Sequence, residues 1–331
     1  MYETFFGLKR SPFEISPDPH FLFPTSRHNE ALASIYFGIC RRKGFVVMTG
    51  EVGTGKTLLV RCLLELLNRQ QIAFANVFNA QLSDVDFLRY IAGDLGLKLT
   101  SQSKSELLLE LNHFLIQRHR KGRATVLVVD EAQNLSAAVL EEIRLLTNLE
   151  TSQQKLLQIL LVGQPELEEK LETHELRQLK QRIALRCRLE PLTLEETLGY
   201  IARRLKQAGA EDRAESIFPT AAVTAIHHSC NGIPRVINTV CENALISAFA
   251  VRSSVVTPEI VKEVAKEFRI GQATASTATS VPAVATPKVD QQEILKAFVD
   301  LIEILKKTNI NLEGSPWPSS ATAEKGSVVS Q

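Results

Sequence analysis

Residues 50–57 read Gly-Glu-Val-Gly-Thr-Gly-Lys-Thr, and the segments on either side limit how the chain can fold there. The apolar run Phe45-Val46-Val47-Met48 precedes them and reads as a buried parallel strand. Leu58, Leu59, Leu63 and Leu66 follow at helical spacing. A G-x-x-x-x-G-K-[ST] segment between strand and helix is a phosphate-binding loop. Its glycines let the backbone curl so that successive N–H groups face phosphate oxygens, and the helix N-terminus adds its dipole at the same place. Gly50, Glu51, Val52, Gly53, Thr54, Gly55, Lys56, Thr57 and Leu58 are therefore the expected nucleotide contacts. Lys56 is placed to reach the β- and γ-phosphates, and the Thr57 hydroxyl to ligate Mg²⁺.

Residues 125–131, Thr-Val-Leu-Val-Val-Asp-Glu, supply the second half of such a site. Asp130, at the end of a buried strand, is placed for the Mg²⁺ shell, and Glu131 to activate an attacking water. A phosphate loop with this acidic pair predicts ATP hydrolysis with ATP and Mg²⁺ as ligands. A further strand from Ile72 to Phe78 lies between the two motifs. That strand and the adjacent glutamate point to the branch of P-loop ATPases that includes the AAA+ group.

The rest of the chain fits an α/β fold, a parallel sheet sandwiched by helices, with a small all-helical lid. Strands are predicted at Leu156–Val162 and around Cys187, and helices from Ser26 (a candidate cap) to Arg41, from Ser83 to Leu95, over Lys104–Gln117, from Ser136 to Asn148 and from Pro165. After Thr193, whose pairing with Glu196 is a capping box, the periodicity is helical: 193–209, 219–229, 233–251 and 257–268. Four prolines before residue 25 make residues 1–30 an irregular wrap. Its Phe5, Phe6, Phe13, Phe21 and Phe23 are expected to bury against the nucleotide domain. The expected divisions are 1–192 (nucleotide-binding domain with wrap), 193–270 (lid), 271–290 (Ala/Thr/Ser linker), 291–309 (amphipathic helix) and 310–331 (disordered tail).

Net charge is +1, so no global field favours nucleic acid or anionic membrane, and any such contact must come from a local patch. Five cysteines without a C-x-x-C pair read as reduced thiols, and no apolar stretch is long enough to span a bilayer. The expected address is cytoplasmic. The basic cluster Arg118-His119-Arg120-Lys121 with Arg123 reads as a solvated turn, and a DNA or partner contact is the sharper alternative.

The order of motifs, with Gly232-Ile233-Pro234-Arg235 in the lid, resembles an AAA+ ATPase. The opening Met-Tyr-Glu-Thr-Phe-Phe-Gly-Leu, His28-Asn29-Glu30-Ala31-Leu32, Val162-Gly163-Gln164-Pro165-Glu166-Leu167 and Gln178-Leu179-Lys180-Gln181-Arg182 narrow the resemblance to the ExeA (GspA-like) general secretion pathway ATPases, over about residues 1–270. Longer members carry a transmembrane segment and a peptidoglycan-binding domain where this chain has a linker, a helix and a tail. The resemblance implies that Gln164 is a polar sensor of the attacking water or γ-phosphate. It makes Arg182 an arginine finger acting on a neighbouring subunit, with Arg177 and Arg186 as competitors, and Arg235 the second sensor. It further implies an adenine pocket near Leu8 and Phe13, although Phe13 equally fits a plain core role. The chain is then expected to be a homo-oligomer that assembles or remodels an export apparatus at the inner membrane face, with residues 291–309 docking on a secretion or envelope protein. A DNA-dependent regulator like the transposition ATPases TnsC and TniB is the alternative, with nucleic acid as partner. A nucleotide-gated scaffold with negligible turnover is disfavoured by Glu131.

Overall fold

The computed structural model describes residues 1–14, 23–78, 82–98 and 103–270. The linker, amphipathic helix and tail read at 271–331 lie outside these residues.

Five parallel strands form the sheet: β1 (Phe45–Gly50), β2 (Ala73–Val77), β3 (Thr125–Val129), β4 (Gln158–Gly163) and β5 (Leu185–Leu189), in the spatial order β2-β3-β4-β1-β5. Every residue of β1, β3 and β4 is buried, which is why Phe45–Met48, Val126–Val129 and Ile159–Val162 read as apolar runs. Helices cover both faces. On one face, α2 (Ser26–Cys40) and α3 (Lys56–Arg69) bury Leu32, Ile35, Leu59 and Leu63 on Met48, Val128 and Leu160. On the other, α4 (Asp84–Asp94), α5 (Lys104–Arg120) and α6 (Ala137–Leu146) bury Phe87, Leu111 and Ile143 on Phe45, Leu127 and Ile159. The short α7 (Pro165–Leu171) and α8 (Arg177–Lys180) lead from β4 to β5.

Three local expectations shift. The cap of α2 is Thr25, whose hydroxyl accepts the His28 N–H, and not Ser26. Strand β4 begins at Gln158 and not at Leu156, whose N–H bonds to the Leu149 carbonyl in the preceding turn. Buried Gln158 is satisfied by the Gly44 N–H (2.8 Å) and the Lys155 carbonyl (3.1 Å), so a polar residue sits in the strand without cost from unmet hydrogen bonds. Helix α5 runs on to Arg120, three residues past the expected end.

After β5 the described chain is helical: α9 (Leu194–Leu205), α10 (Ala214–Ile217), α11 (Thr220–Cys230), α12 (Pro234–Ala250) and α13 (Pro258–Glu267). The Thr193–Glu196 capping box opens α9 in both directions. Pro234 and Pro258 stand at the starts of their helices, where a missing N–H costs nothing.

The aromatic wrap corrects an expectation. A short helix, α1 (Tyr2–Phe5), and the turn after it pack on the helical region and not on the sheet domain. Tyr2, Phe6, Leu8 and Phe13 join one cluster with Tyr200, Phe218, Ile237 and Leu245. Phe13 meets Phe218 edge-on, and Tyr2 donates to Glu242 at 2.6 Å. Buried Arg204 donates to the carbonyls of Pro12 (3.1 Å) and Glu14 (3.3 Å). Phe5 is 41% exposed and lies against Phe249, so it is only partly covered. Phe23 packs edge-on against Tyr200, and Phe21 is outside the described residues.

Candidate functional site

The carboxyl ends of β1, β3 and β4 lie side by side, and the motif residues leave from those ends. In open α/β sheets this edge is where ligands bind. From β1 the chain turns through Gly53 (φ +84°) and Gly55 (φ +100°) into α3. Lys56 is 5% exposed and its ammonium donates to the carbonyls of Gly50 (2.7 Å) and Glu51 (2.9 Å), drawn over the loop. Burial lowers its pKa, against the pull of Glu131, Asp130, Glu51 and Glu166. Thr54 is fully buried, and its hydroxyl ties the loop to the Glu51 carbonyl at 2.8 Å. Glu51 and Val52 face solvent, while Thr57 and Leu58 are half-buried at the start of α3.

Thr57 Oγ1 donates to Asp130 Oδ2 at 3.0 Å, which joins the two motifs. Burial raises the Asp130 pKa, opposed by the Glu131 N–H (2.9 Å) and the Thr57 hydroxyl. A hydroxyl and a carboxylate with hard oxygens at this spacing, one of them short of full solvation, suit a magnesium ion. Glu131 takes a left-handed backbone (φ +53°), a conformation uncommon for a side-chain-bearing residue. Desolvation pushes its pKa up, but hydrogen bonds from Gln133 and Gln164 and the charges of Lys56 and Arg235 outweigh it, and the net direction is down.

Gln133 went unread in the sequence. Its amide donates to Glu131 Oε2 at 2.6 Å, and its carbonyl oxygen accepts the Gln164 N–H at 3.1 Å. Gln164 Nε2 reaches the same Glu131 oxygen at 3.0 Å. Two amides thus hold one carboxylate oxygen. Gly163 makes room for this, since a Cβ there would lie 2.9 Å from Gln133 Oε1. The available signal was the polar residue two places after the acidic pair, in Asp-Glu-Ala-Gln. His28, which the sequence placed only within a motif, also lies here: its ring reaches the Thr54 carbonyl at 3.2 Å.

The helical region closes over the loop. The Arg235 N–H donates to the Gly53 carbonyl at 3.2 Å, and a Cβ on Gly53 would stand 2.7 Å from Arg235 Cβ. Arg235 is therefore beside the loop and within electrostatic reach of Glu131. Arg182 is not drawn into this group. It donates to Thr147 Oγ1 at 2.9 Å, at the end of α6. Arg177 is exposed and Arg186 half-buried. Leu8 and Phe13 lie in the helical cluster, and Phe13 is 1% exposed, a core residue. In the basic cluster, Arg118 donates to the carbonyls of Gln71 and Ala124, Arg123 to the Gln71 side chain, and His119 pairs with Arg42, so these groups brace the turn.

Fold and motif placement together define an AAA+ protein of the P-loop ATPase class, and the AAA domain family matches residues 40–171. Over 252 residues, 76% of the chain, it is 44% identical to general secretion pathway protein A of Aeromonas hydrophila, and it belongs to that protein's family. The chain spans about half the length (45%) of this curated relative. Among solved structures it is similar to Drosophila ORC bound to DNA (TM-score 0.59, 17% identity, covering 90% of this chain and 80% of that one). It is also similar to Cdc6p from Pyrobaculum aerophilum (TM-score 0.55, 19% identity, 80% and 70%). At these identities the likeness is one of fold. Among the described residues no helix is long and apolar enough to cross a membrane.

Proposed function

We propose that the chain is an ATP-binding, ATP-hydrolysing, magnesium-dependent AAA+ ATPase that works as an oligomer on a secretion or cell-envelope export apparatus. The observation that carries the reading is the meeting of Lys56, Thr57, Asp130, Glu131 and Gln164 at the ends of three adjacent strands. In this reading the loop N–H groups and Lys56 hold the β- and γ-phosphates. Thr57 and Asp130 would hold a magnesium ion, which when bound would offset charge on the phosphate oxygens. Glu131 accepts a proton from the attacking water, which Gln164 helps to orient. Arg235 brings lid charge to the γ-phosphate, and Arg182 supplies charge to a neighbouring subunit's site.

The secretion role rests on the relationship to general secretion pathway protein A, and docking through residues 291–309 rests on their amphipathic pattern. Location at the cytoplasmic face of the inner membrane follows from the same reading. A DNA-directed role is less favoured, because the net charge is +1 and Arg118, His119 and Arg123 of the main basic cluster are engaged at a turn. The test of the site separates binding from turnover. Lys56→Ala should abolish ATP binding, and Glu131→Gln should keep binding and stop hydrolysis. Equal ATP affinity for wild type and Lys56→Ala would overturn the assignment.

A further inference from the structure

His28 has no part in the chemistry above, yet it is 6% exposed and lies beneath the phosphate loop. Both ring nitrogens are engaged. Nδ1 is 2.6 Å from Thr25 Oγ1, and Nε2 is 3.2 Å from the Thr54 carbonyl. A carbonyl only accepts, so Nε2 carries the proton and donates. Nδ1 then accepts the Thr25 hydroxyl, whose oxygen in turn accepts the His28 N–H at the helix cap. Burial lowers the ring's pKa, which agrees with a neutral ring in this arrangement.

The bonded carbonyl lies in the middle of the loop. A peptide plane points its C=O and the following N–H in opposite directions. Fixing the Thr54 carbonyl toward α2 therefore fixes the Gly55 N–H away from α2. The Gly55 backbone is left-handed (φ +100°), and glycine is the residue with the most freedom to leave such a conformation. Some other group has to hold this peptide, and the imidazole is within bonding distance of it.

We propose that His28 is a positioning residue for nucleotide binding: it donates to the Thr54 carbonyl and so orients the Gly55 N–H toward phosphate. This rests on the ATPase reading above. The brace also reaches the lid side of the molecule. The Thr25 N–H bonds to the Phe23 carbonyl (3.0 Å), and Phe23 packs on Tyr200 and against Gly199 of α9.

The test compares three substitutions in the full chain, His28→Leu, His28→Asn and His28→Gln. ATP affinity, turnover at saturating ATP and the nucleotide-free melting temperature are measured for each. The Gln amide nitrogen falls near the position of Nε2 and can donate to Thr54. Asn stops near Nδ1 and keeps only the Thr25 partner. His28→Leu and His28→Asn should each weaken ATP binding roughly tenfold, the scale of one hydrogen bond from the Gly55 N–H to a charged phosphate. Their kcat should stay within about twofold, and His28→Gln should recover most of the affinity. Two results would overturn the inference: Gln binding no better than Asn, or wild-type ATP affinity in His28→Leu and His28→Asn at a lowered melting temperature, which would show a packing role. Wild type and Lys56→Ala binding ATP equally would instead overturn the reading of the site itself, before any His28 variant is compared.

Discussion

Gly53→Ala tests whether the lid rests on the phosphate loop as the structure has it. The added Cβ would stand 2.7 Å from Arg235 Cβ and 3.1 Å from Ile233 Cγ2. Carbon atoms in contact prefer about 3.5–4.0 Å, so roughly 1 Å must be opened. Arg235 Cβ cannot swing aside, because it is fixed to the backbone of α12. The Arg235–Gly53 hydrogen bond is already 3.2 Å long and would be lost on such a shift. Alanine at φ +84° adds about 1–2 kcal/mol of backbone strain, and overpacking about 1–3 kcal/mol. Gly122 supplies the control. It has φ +71° and no atom within 4 Å of an added Cβ, so Gly122→Ala carries the backbone strain alone. The difference between the variants, about 1–3 kcal/mol, isolates pressure on the lid. Differential scanning calorimetry should show Gly53→Ala melting several degrees below Gly122→Ala, at about 2–4 °C per kcal/mol. ATP turnover should fall in the first variant and not in the second. Equal melting temperatures and equal turnover would refute the contact between lid and loop.

Other outcomes follow from the same geometry. Gln133→Leu removes a donor to Glu131 and an acceptor for the Gln164 N–H; a hydrogen bond to a charged group contributes about 1.5–3 kcal/mol, so single-turnover hydrolysis should slow about 10- to 100-fold with ATP affinity within threefold, and an unchanged rate would remove Gln133 from the site. Arg182→Ala mixed with Glu131→Gln should regain activity that neither has alone, since each completes a site the other lacks; no rescue in a mixture shown to co-assemble would exclude Arg182 as a finger in trans. Deleting residues 271–331 should leave basal ATPase intact while abolishing co-sedimentation with membranes bearing the export apparatus, and a large fall in melting temperature would show instead that this segment stabilises the core.

Where a residue's role follows from its neighbours in the chain, the sequence was readable. Phe45–Met48 and Val126–Val129 are fully buried in their strands and read as unbroken apolar runs. Thr193 with Glu196, and Ser136 three residues before Val139, announced their caps because a capping bond spans only one turn. Gln133 could not be read this way. Its partners are Glu131 on the same turn and Gln164 beyond another strand, and only the β3–β4 pairing brings them together. The wrap failed for a related reason. Aromatic content says that Phe6 and Phe13 need cover, but the choice between sheet face and lid depends on partners such as Glu242 and Arg204, more than 190 positions away. At the start of α2, cap propensity ranks Ser26 above the adjacent Thr25; the observed cap is Thr25, which also meets the buried His28 ring.

The start of α12 links the phosphate loop to the lid. Gly232 meets the chain between sheet and lid: the Leu192 N–H donates to its carbonyl at 2.8 Å, and a Cβ on Gly232 would stand 2.1 Å from the Leu192 carbonyl oxygen. Three residues later, the Arg235 N–H donates to Gly53. One short stretch of backbone therefore touches both Leu192, between sheet and lid, and the phosphate loop. The two contacts are separated by less than one helical turn, so α12 cannot rotate about Leu192 without changing the distance from Arg235 to Gly53. Ile233, between them, packs against Gly53, so the gap is filled by a side chain as well as bridged by a hydrogen bond. The lid has a second attachment through the wrap, by way of Phe23 on Tyr200, Thr25, and the His28 ring on Thr54. The loop is held at Gly53 from the lid and at Thr54 from α2, at consecutive residues. A rearrangement of the loop backbone must strain one of these contacts or carry the lid with it, and packed interfaces of this kind shift between discrete arrangements more readily than they deform.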